Sequence, residues 1–245
     1  MTKWMQKTIS MTRMIHSKIA IIITAAGSST RIGGGIKKEY LPYNKGTVLS
    51  SCAETFLNAC SSDFEITDFI ITCPKGGIEE CRKALSAFTY SGIKIVEGSD
   101  TRQKSVYNGL LAVSDETEYV LIHDGARPFV TPALIRNTLK AAIEYGAAVP
   151  GLTPTDTQKE IDESGFIVRH LIRSSLSAVQ TPQVFEFSKL KVAHERAAQD
   201  SREYTDDTEI WGAYCGRVKV VPGEVNNIKI TYPSDLEKLK VEGTK

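Results

Sequence analysis

The chain has no paired cysteine motif, no long apolar run and almost no net charge, and each absence removes a class of function. Its five cysteines (Cys52, Cys60, Cys73, Cys81 and Cys215) are odd in number and include no CxxC. Neither a disulfide frame nor a zinc site is therefore expected, and the thiols read as reduced groups of a cytoplasmic protein. No stretch approaches the roughly 18 apolar residues that a bilayer crossing needs, so no membrane partner is expected. The net charge of +1 supplies no field toward nucleic acid, and a basic stripe with an aromatic stacking platform is also missing. Residues 1–18 carry Lys3, Lys7, Arg13 and Lys18 without an acid or an apolar core. They read as a flexible leader rather than a secretory signal, with Met11 or Met14 as alternative starts.

What the chain does have is an ordinary globular composition, 41% apolar and 24% charged over 245 residues, enough for a sizeable core. The segment IAIIITAAGSSTRIGGGIKKEY, Ile19 to Tyr40, is the most informative. Its apolar run lacks the alternation of a half-exposed strand and reads as a strand buried on both faces. A glycine-rich loop then follows, with Arg31, Lys37 and Lys38 in and beside it. Either this is a plain strand-to-helix turn, or its backbone N–H groups and cations hold a polyphosphate. It is not a P-loop, because Lys37-Lys38-Glu39 does not supply Gly-Lys-Ser/Thr. It is not a dinucleotide fingerprint either, because Gly27-Ser28-Ser29 lacks the second glycine.

Apolar runs recur at Phe69–Cys73, Ile93–Val96, Tyr119–His123 and Ala147–Gly151. Stretches with helical spacing fall between them, at Val48–Ala59, Ile78–Phe88, Arg102–Val113 and Pro132–Tyr145. This alternation predicts an α/β fold, a Rossmann-like and mainly parallel sheet flanked by helices, with ligands at the carboxyl ends of the strands. From Thr153 to Arg173 the pattern breaks. Two β-prone pieces, Gln158–Ile161 and Phe166–Leu171, flank the turn Asp162-Glu163-Ser164-Gly165, which predicts a projecting β-hairpin arm at about 153–173. Such an arm is marginal alone and either leans on a second subunit or runs over the surface. Helices at Lys189–Gln199, Asp206–Tyr214 and from Ser234, with a strand at Val218–Val221, complete residues 19–245 as a single expected domain.

The polar residues at the strand ends form a set: Gly27, Arg31 and Lys38 after the first strand, Gly98-Ser99-Asp100 with Arg102 and Ser105 after another, and Asp124 after Tyr119–His123. Asp124 either holds Mg²⁺, a hard cation that prefers oxygen, or caps a turn. His123, one residue earlier on a strand, points the other way and is assigned a structural role.

Seven segments in order, AAGSSTRIG with KKEYL, GSDTRQKSVYNGL, VLIHDGARPF, PTDTQK, AVQTPQVF, TDDTE and VNNIKITYPSDL, resemble the 2-C-methyl-D-erythritol 4-phosphate cytidylyltransferases of the non-mevalonate isoprenoid pathway. The resemblance extends from Ile19 to Leu239. The resemblance implies a transferase that joins CTP to a sugar-alcohol phosphate with Mg²⁺ and releases pyrophosphate, working as a homodimer through the arm. It implies that Ala25, Ala26 and Gly27 shape the nucleotide loop and that Asp100 and Ser105 contact the cytidine. Arg31 and Lys38 would hold the triphosphate, Lys229 the α-phosphate, and Asp124 the metal. Arg127, Thr157, Arg173 and Thr181 would bind the acceptor, part of it across the dimer interface.

Departures from the family pattern concentrate in the loop. Ser29 replaces the second glycine, Gly33, Gly34 and Gly35 follow, and Lys37-Lys38-Glu39 stands where Pro-Lys-Gln is usual, so Lys37 is expected to compete with Lys38. Gly125 stands where Ala is usual. Alternatives to set beside this reading are a ribitol 5-phosphate cytidylyltransferase, a nucleotide-binding protein without catalysis, and a nicotinamide oxidoreductase, against which the missing fingerprint argues.

Overall fold

A computed structural model of the chain describes residues 17–27 and 37–242. The strands, in chain order, are β1 (Lys18–Thr24), β2 (Pro42–Tyr43), β3 (Gly46–Thr47), β4 (Glu65–Cys73), β5 (Ile93–Glu97), β6 (Tyr119–Asp124), β7 (Ala147–Leu152), β8 (Lys159–Ile161), β9 (Ile167–His170), β10 (Ala178–Val179), β11 (Gln183–Glu186) and β12 (Lys219–Pro222). The helices are α1 (Val48–Cys60), α2 (Ile78–Ala84), α3 (Arg102–Leu111), α4 (Pro132–Tyr145), α5 (Phe187–Ala197), α6 (Asp207–Tyr214) and α7 (Leu236–Glu242).

The main sheet has the order β10–β7–β11–β6–β1–β4–β5, with β12 parallel to β7. β1 lies in its interior between β6 and β4, parallel to both. Successive side chains of a strand point to opposite faces, and β1 feeds a core on each side. Ile19, Ile21 and Ile23 pack with Phe56 of α1, Cys81 of α2 and Leu139 of α4. Ala20 and Ile22 pack with Val106 and Leu110 of α3, Leu190 of α5 and Trp211 of α6. All four isoleucines are fully buried. At about 1.5–3 kcal/mol each, they contribute a gross burial energy comparable with the net stability of a typical domain.

The helices start where local chemistry satisfies their first N–H groups. Thr47 and Ser50 cap each other reciprocally at α1, and Thr101, Thr131 and Asp206 each accept a backbone N–H from the first turn of α3, α4 and α6. β11 was not foreseen. It inserts antiparallel between β6 and β7, and its four residues begin with a glutamine, too short and too polar at its start to signal a strand. The helix expected over Ile78–Phe88 closes at Ala84, with Leu85 as its C-cap.

The hairpin of β8 and β9 pairs only with itself among the described residues. The Asp162 carboxylate accepts the backbone N–H groups of Ser164 and Phe166, which closes its turn. Its apolar side chains are left uncovered: Ile161, Phe166, Ile167 and Val168 are 61%, 72%, 55% and 58% exposed. The leader lies outside the described residues except for Ser17 and Lys18. Arg31 and the glycines 33–35 lie outside them too.

Candidate active site

The carboxyl ends of β1, β5 and β6 open onto a cavity of about 1000 Å³, at the upper end of the range for small-molecule sites and roomy enough for two substrates. Ala26, Gly27, Lys37 and Lys38 line it from the first loop, Gly98 to Arg102 and Ser105 from the second, Asp124 and Ala126 from the third, and Lys229 and Thr231 from the C-terminal part of the chain.

β1 ends where the N–H of Ala25 donates to the Thr72 carbonyl at 2.8 Å, which anchors the fully buried Ala25 and leaves Ala26 and Gly27 at the cavity wall. Lys38 begins a short 3-10 turn, Lys38–Tyr40, and is only 7% exposed. Lys37 donates to the carbonyl of Gly27. Burial lowers the Lys37 ammonium below its usual range.

The second wall is the entry to α3. A close approach fixes Gly98: a methyl there would lie 2.5 Å from Cβ of Ala26 and 2.8 Å from Oγ of Ser105. Ser105 is buried, accepts the Ser99 N–H at 2.9 Å and donates to the Thr101 carbonyl at 2.8 Å. It holds the loop that presents Asp100. The Asp100 carboxyl is exposed, and the Ser99 hydroxyl and Lys104 bring it down to about 2.

Asp124 forms the floor. Lys229 Nζ lies 2.8 Å from its Oδ2, Arg102 Nε 3.3 Å from Oδ1, and Arg127 Nε 3.6 Å from Oδ2. Burial alone would raise this carboxyl, but the charges of Lys229, Arg102 and Arg127 outweigh it and hold the group well below the usual carboxylate range. The backbone N–H of Asp124 donates to Oγ1 of Thr181 at 3.1 Å, and that hydroxyl faces Nδ1 of His123 at 2.9 Å. His123 is fully buried against Phe56 with Nε2 on the Arg127 carbonyl. Burial pushes its imidazole down to about 3, and it braces the turn as a neutral group.

Lys229 arrives from a hundred residues away because its segment is docked on the turn after β6. The N–H of Ile230 donates to the Ala126 carbonyl at 2.8 Å, and Arg127 Nη1 donates to the Asn227 carbonyl at 2.8 Å. Asn227, fully buried, donates to the Thr181 carbonyl at 2.9 Å, and Gln180 donates to the Glu224 carbonyl at 2.9 Å.

Of the residues expected to act together, Ala26, Gly27, Lys38, Asp100, Ser105, Asp124 and Lys229 share the cavity. Arg127 and Thr181 sit behind Asp124, the first turned to Asn227 and the second buried at 3%. Thr157 and Arg173 are exposed at the arm, where Arg173 donates to the Thr155 carbonyl at 2.6 Å. The sequence gives no role to Arg102 beyond its place after a strand, nor to Asp207, Gln180 and Asn227. Their segments GSDTRQKS, TDDTE, AVQTPQVF and VNNIKIT carry the family resemblance, but their pairings are tertiary and leave no local signal.

Comparison with known proteins gives the family. The profile of the family described as 2-C-methyl-D-erythritol 4-phosphate cytidylyltransferase matches residues 19–241. The chain belongs to that family. A 2-C-methyl-D-erythritol 4-phosphate cytidylyltransferase of Clostridium botulinum is 39% identical over 221 residues, covering 90% of this chain and 95% of the relative. Among solved structures, the 4-diphosphocytidyl-2C-methyl-D-erythritol synthase of Anaerococcus prevotii superposes with a TM-score of 0.80 at 29% identity, covering 94% of this chain and 97% of its own. The cytidylyltransferase of Thermus thermophilus gives 0.73 at 30% identity, covering 93% and 100%. The cavity floor of this cytidylyltransferase-family chain is thus one carboxylate crowded by three cations. Among the described residues no group of three or more His, Cys, Asp or Glu could hold a metal. A single oxygen donor suits Mg²⁺ carried in on a nucleotide, since that ion keeps its waters and takes one or two carboxylates plus substrate phosphates.

Proposed function

We infer that this chain is a nucleotidyltransferase that couples CTP to 2-C-methyl-D-erythritol 4-phosphate, giving 4-diphosphocytidyl-2-C-methyl-D-erythritol and pyrophosphate. The observation that carries the reading is the convergence of Lys38, Lys229 and Arg102 on one cavity around Asp124. An oxygen of the acceptor phosphate forms the new bond to the α-phosphorus, and the bond from that phosphorus to the bridging oxygen breaks. Pyrophosphate leaves with the electron pair. The attacking phosphate is already ionised at neutral pH, so no strong general base is needed. Catalysis reduces to positioning and to cations around the charge that builds at phosphorus.

In this reading Ala25, Ala26 and Gly27 shape the nucleotide loop, Asp100 and Ser105 face the cytidine, and Lys38 with Arg31 holds the triphosphate. Lys229 is the cation at the α-phosphate. Asp124 would hold Mg²⁺, which supplies charge neutralisation on the phosphate oxygens when bound. Arg127 and Thr181 brace Asp124 from behind, and with Thr157 and Arg173 they are assigned to the acceptor side. The exposed apolar side chains of the arm support a homodimer, with Thr157 and Arg173 reaching a neighbouring copy. Residues 19–245 are read as one nucleotidyltransferase domain carrying that arm.

The test is pyrophosphate release with CTP, Mg²⁺ and a panel of polyol phosphates. Methylerythritol phosphate is expected to turn over fastest. Faster turnover of ribitol 5-phosphate would overturn the acceptor, and CTP binding without pyrophosphate release would overturn the enzyme.

A further inference from the structure

Asp207, the first residue of α6, is a fully buried carboxylate held by groups from three other elements. Arg102 Nη1 of α3 donates to its Oδ2 at 2.7 Å, and His194 Nε2 of α5 lies 3.0 Å from its Oδ1. Its backbone N–H donates to Oε1 of Gln183 in β11 at 3.2 Å. The His194 ring lies parallel to that of Tyr107, with 3° between the planes. From Asp207 the guanidinium of Arg102 continues to Asp124, so one planar fork spans two carboxylates. A lysine would put one compact point charge in place of that rigid fork. A buried carboxylate is costly unless paired, and this one is spent on an arginine that lines the cavity.

We propose that Asp207 and His194 are positioning residues for the transfer. They fix Arg102 so that it holds Oδ1 of Asp124 while Lys229 holds Oδ2. Arg102 is the cation on Oδ1, and Arg127 stays beside Oδ2, so Lys229 can turn to an incoming phosphate while both oxygens of Asp124 keep a cation. The proposal rests on the reading of Lys229 and Asp124 given above, and it adds a support that reaches across the second helical layer.

The Asp207→Asn variant keeps the shape and removes the charge. Its amide oxygen can still accept from Arg102, and its amide NH₂ can donate to His194, whose Nδ1 has no hydrogen-bond partner and can take the ring proton. Asp207→Ala removes both contacts. Displacing a group near a reacting centre costs up to about 10²-fold in rate. Asp207→Ala is expected to lose about that much in kcat, with Asp207→Asn intermediate and CTP affinity little changed in both. In an Arg102→Ala background, Asp207→Asn is expected to add no further loss. Thermal unfolding of each variant identifies any that fails to fold, and Asp207→Asn is the one expected to hold. Equal kcat for wild type and Asp207→Asn, or losses that multiply in the double variant, would overturn the proposal. Crystal structures of the unliganded variants judge it without turnover. Arg102 displaced from Asp124 in Asp207→Ala supports it, and Arg102 unmoved refutes it even if the wild-type chain proves to act on another acceptor.

Discussion

Lys229 and Asp124 carry the sharpest consequences at the scale of single residues. On the proposed reading, Lys229→Ala removes a cation whose value is greatest when charge develops at phosphorus, so kcat is expected to fall by about 10²–10³ while CTP affinity changes far less. Isothermal titration with CTP beside steady-state turnover separates the two. Unchanged turnover would remove Lys229 from the chemistry. Asp124→Asn keeps the size of the side chain but takes away the charge that three cations face, and it is expected to raise the Mg²⁺ concentration needed for half-maximal rate. A metal titration identical to wild type would count against Asp124 as the ligand. His123 sets a pH dependence of a different kind. Its imidazole is held neutral down to about pH 3 in the fold, whereas an unfolded histidine takes a proton near pH 6.5. Below that point the unfolded chain binds more protons than the native one, so stability falls as pH drops from about 6.5 toward 3. Urea midpoints at pH 7 and pH 5 should differ in that direction, and the His123 ring resonance should not titrate between them.

Among the elements, the loop from β5 into α3 and the segment after β12 do most to build the cavity, and they differ in how far the sequence reveals them. Gly98 leaves no room for a methyl between Ala26 and Ser105. Gly98→Ala is expected to cost about 1–3 kcal/mol of stability, as overpacking does, and, on the proposed reading, to weaken CTP binding because the two cavity-lining loops are pushed apart. A wild-type melting temperature and CTP affinity would show that the loops are not in such contact. The central strands β1, β4 and β6 are legible because they are largely buried on both faces and carry apolar runs. The helices were legible from their spacing, and the hairpin from Asp162 to Gly165. β11 was not, since a four-residue strand entering antiparallel is fixed by its neighbours rather than by its own residues. At the site, Lys38, Asp124 and Lys229 could be picked out by strand-end position and family resemblance. The bridge from Arg102 to Asp207 joins residues more than a hundred positions apart, and no periodicity carries such a pair.

For the whole molecule, the proposed reading turns on whether a second copy supplies the acceptor side of the cavity. Thr157 and Arg173 lie on an arm whose apolar side chains are exposed, while Lys38, Asp124 and Lys229 lie in the body. If a second copy supplies the arm, then Phe166→Asp should shift the chain toward monomer by sedimentation and lower its activity together. Mixing two inactive variants, Lys229→Ala and Arg173→Ala, should restore activity, because one site of the mixed dimer then has both residues intact. No recovery after subunit exchange would place Arg173 in its own subunit's site or outside any site. The claim on which all of this depends is that the triphosphate of CTP lies across the ends of β1 and β6. A crystal structure of the chain with CTP and Mg²⁺ tests it most directly. The account predicts the α-phosphate within hydrogen-bonding reach of Lys229, the outer phosphates beside Lys38, and the cytosine against the loop of Asp100 and Ser105. A nucleotide bound with its phosphates away from Lys38 and Lys229 would contradict it.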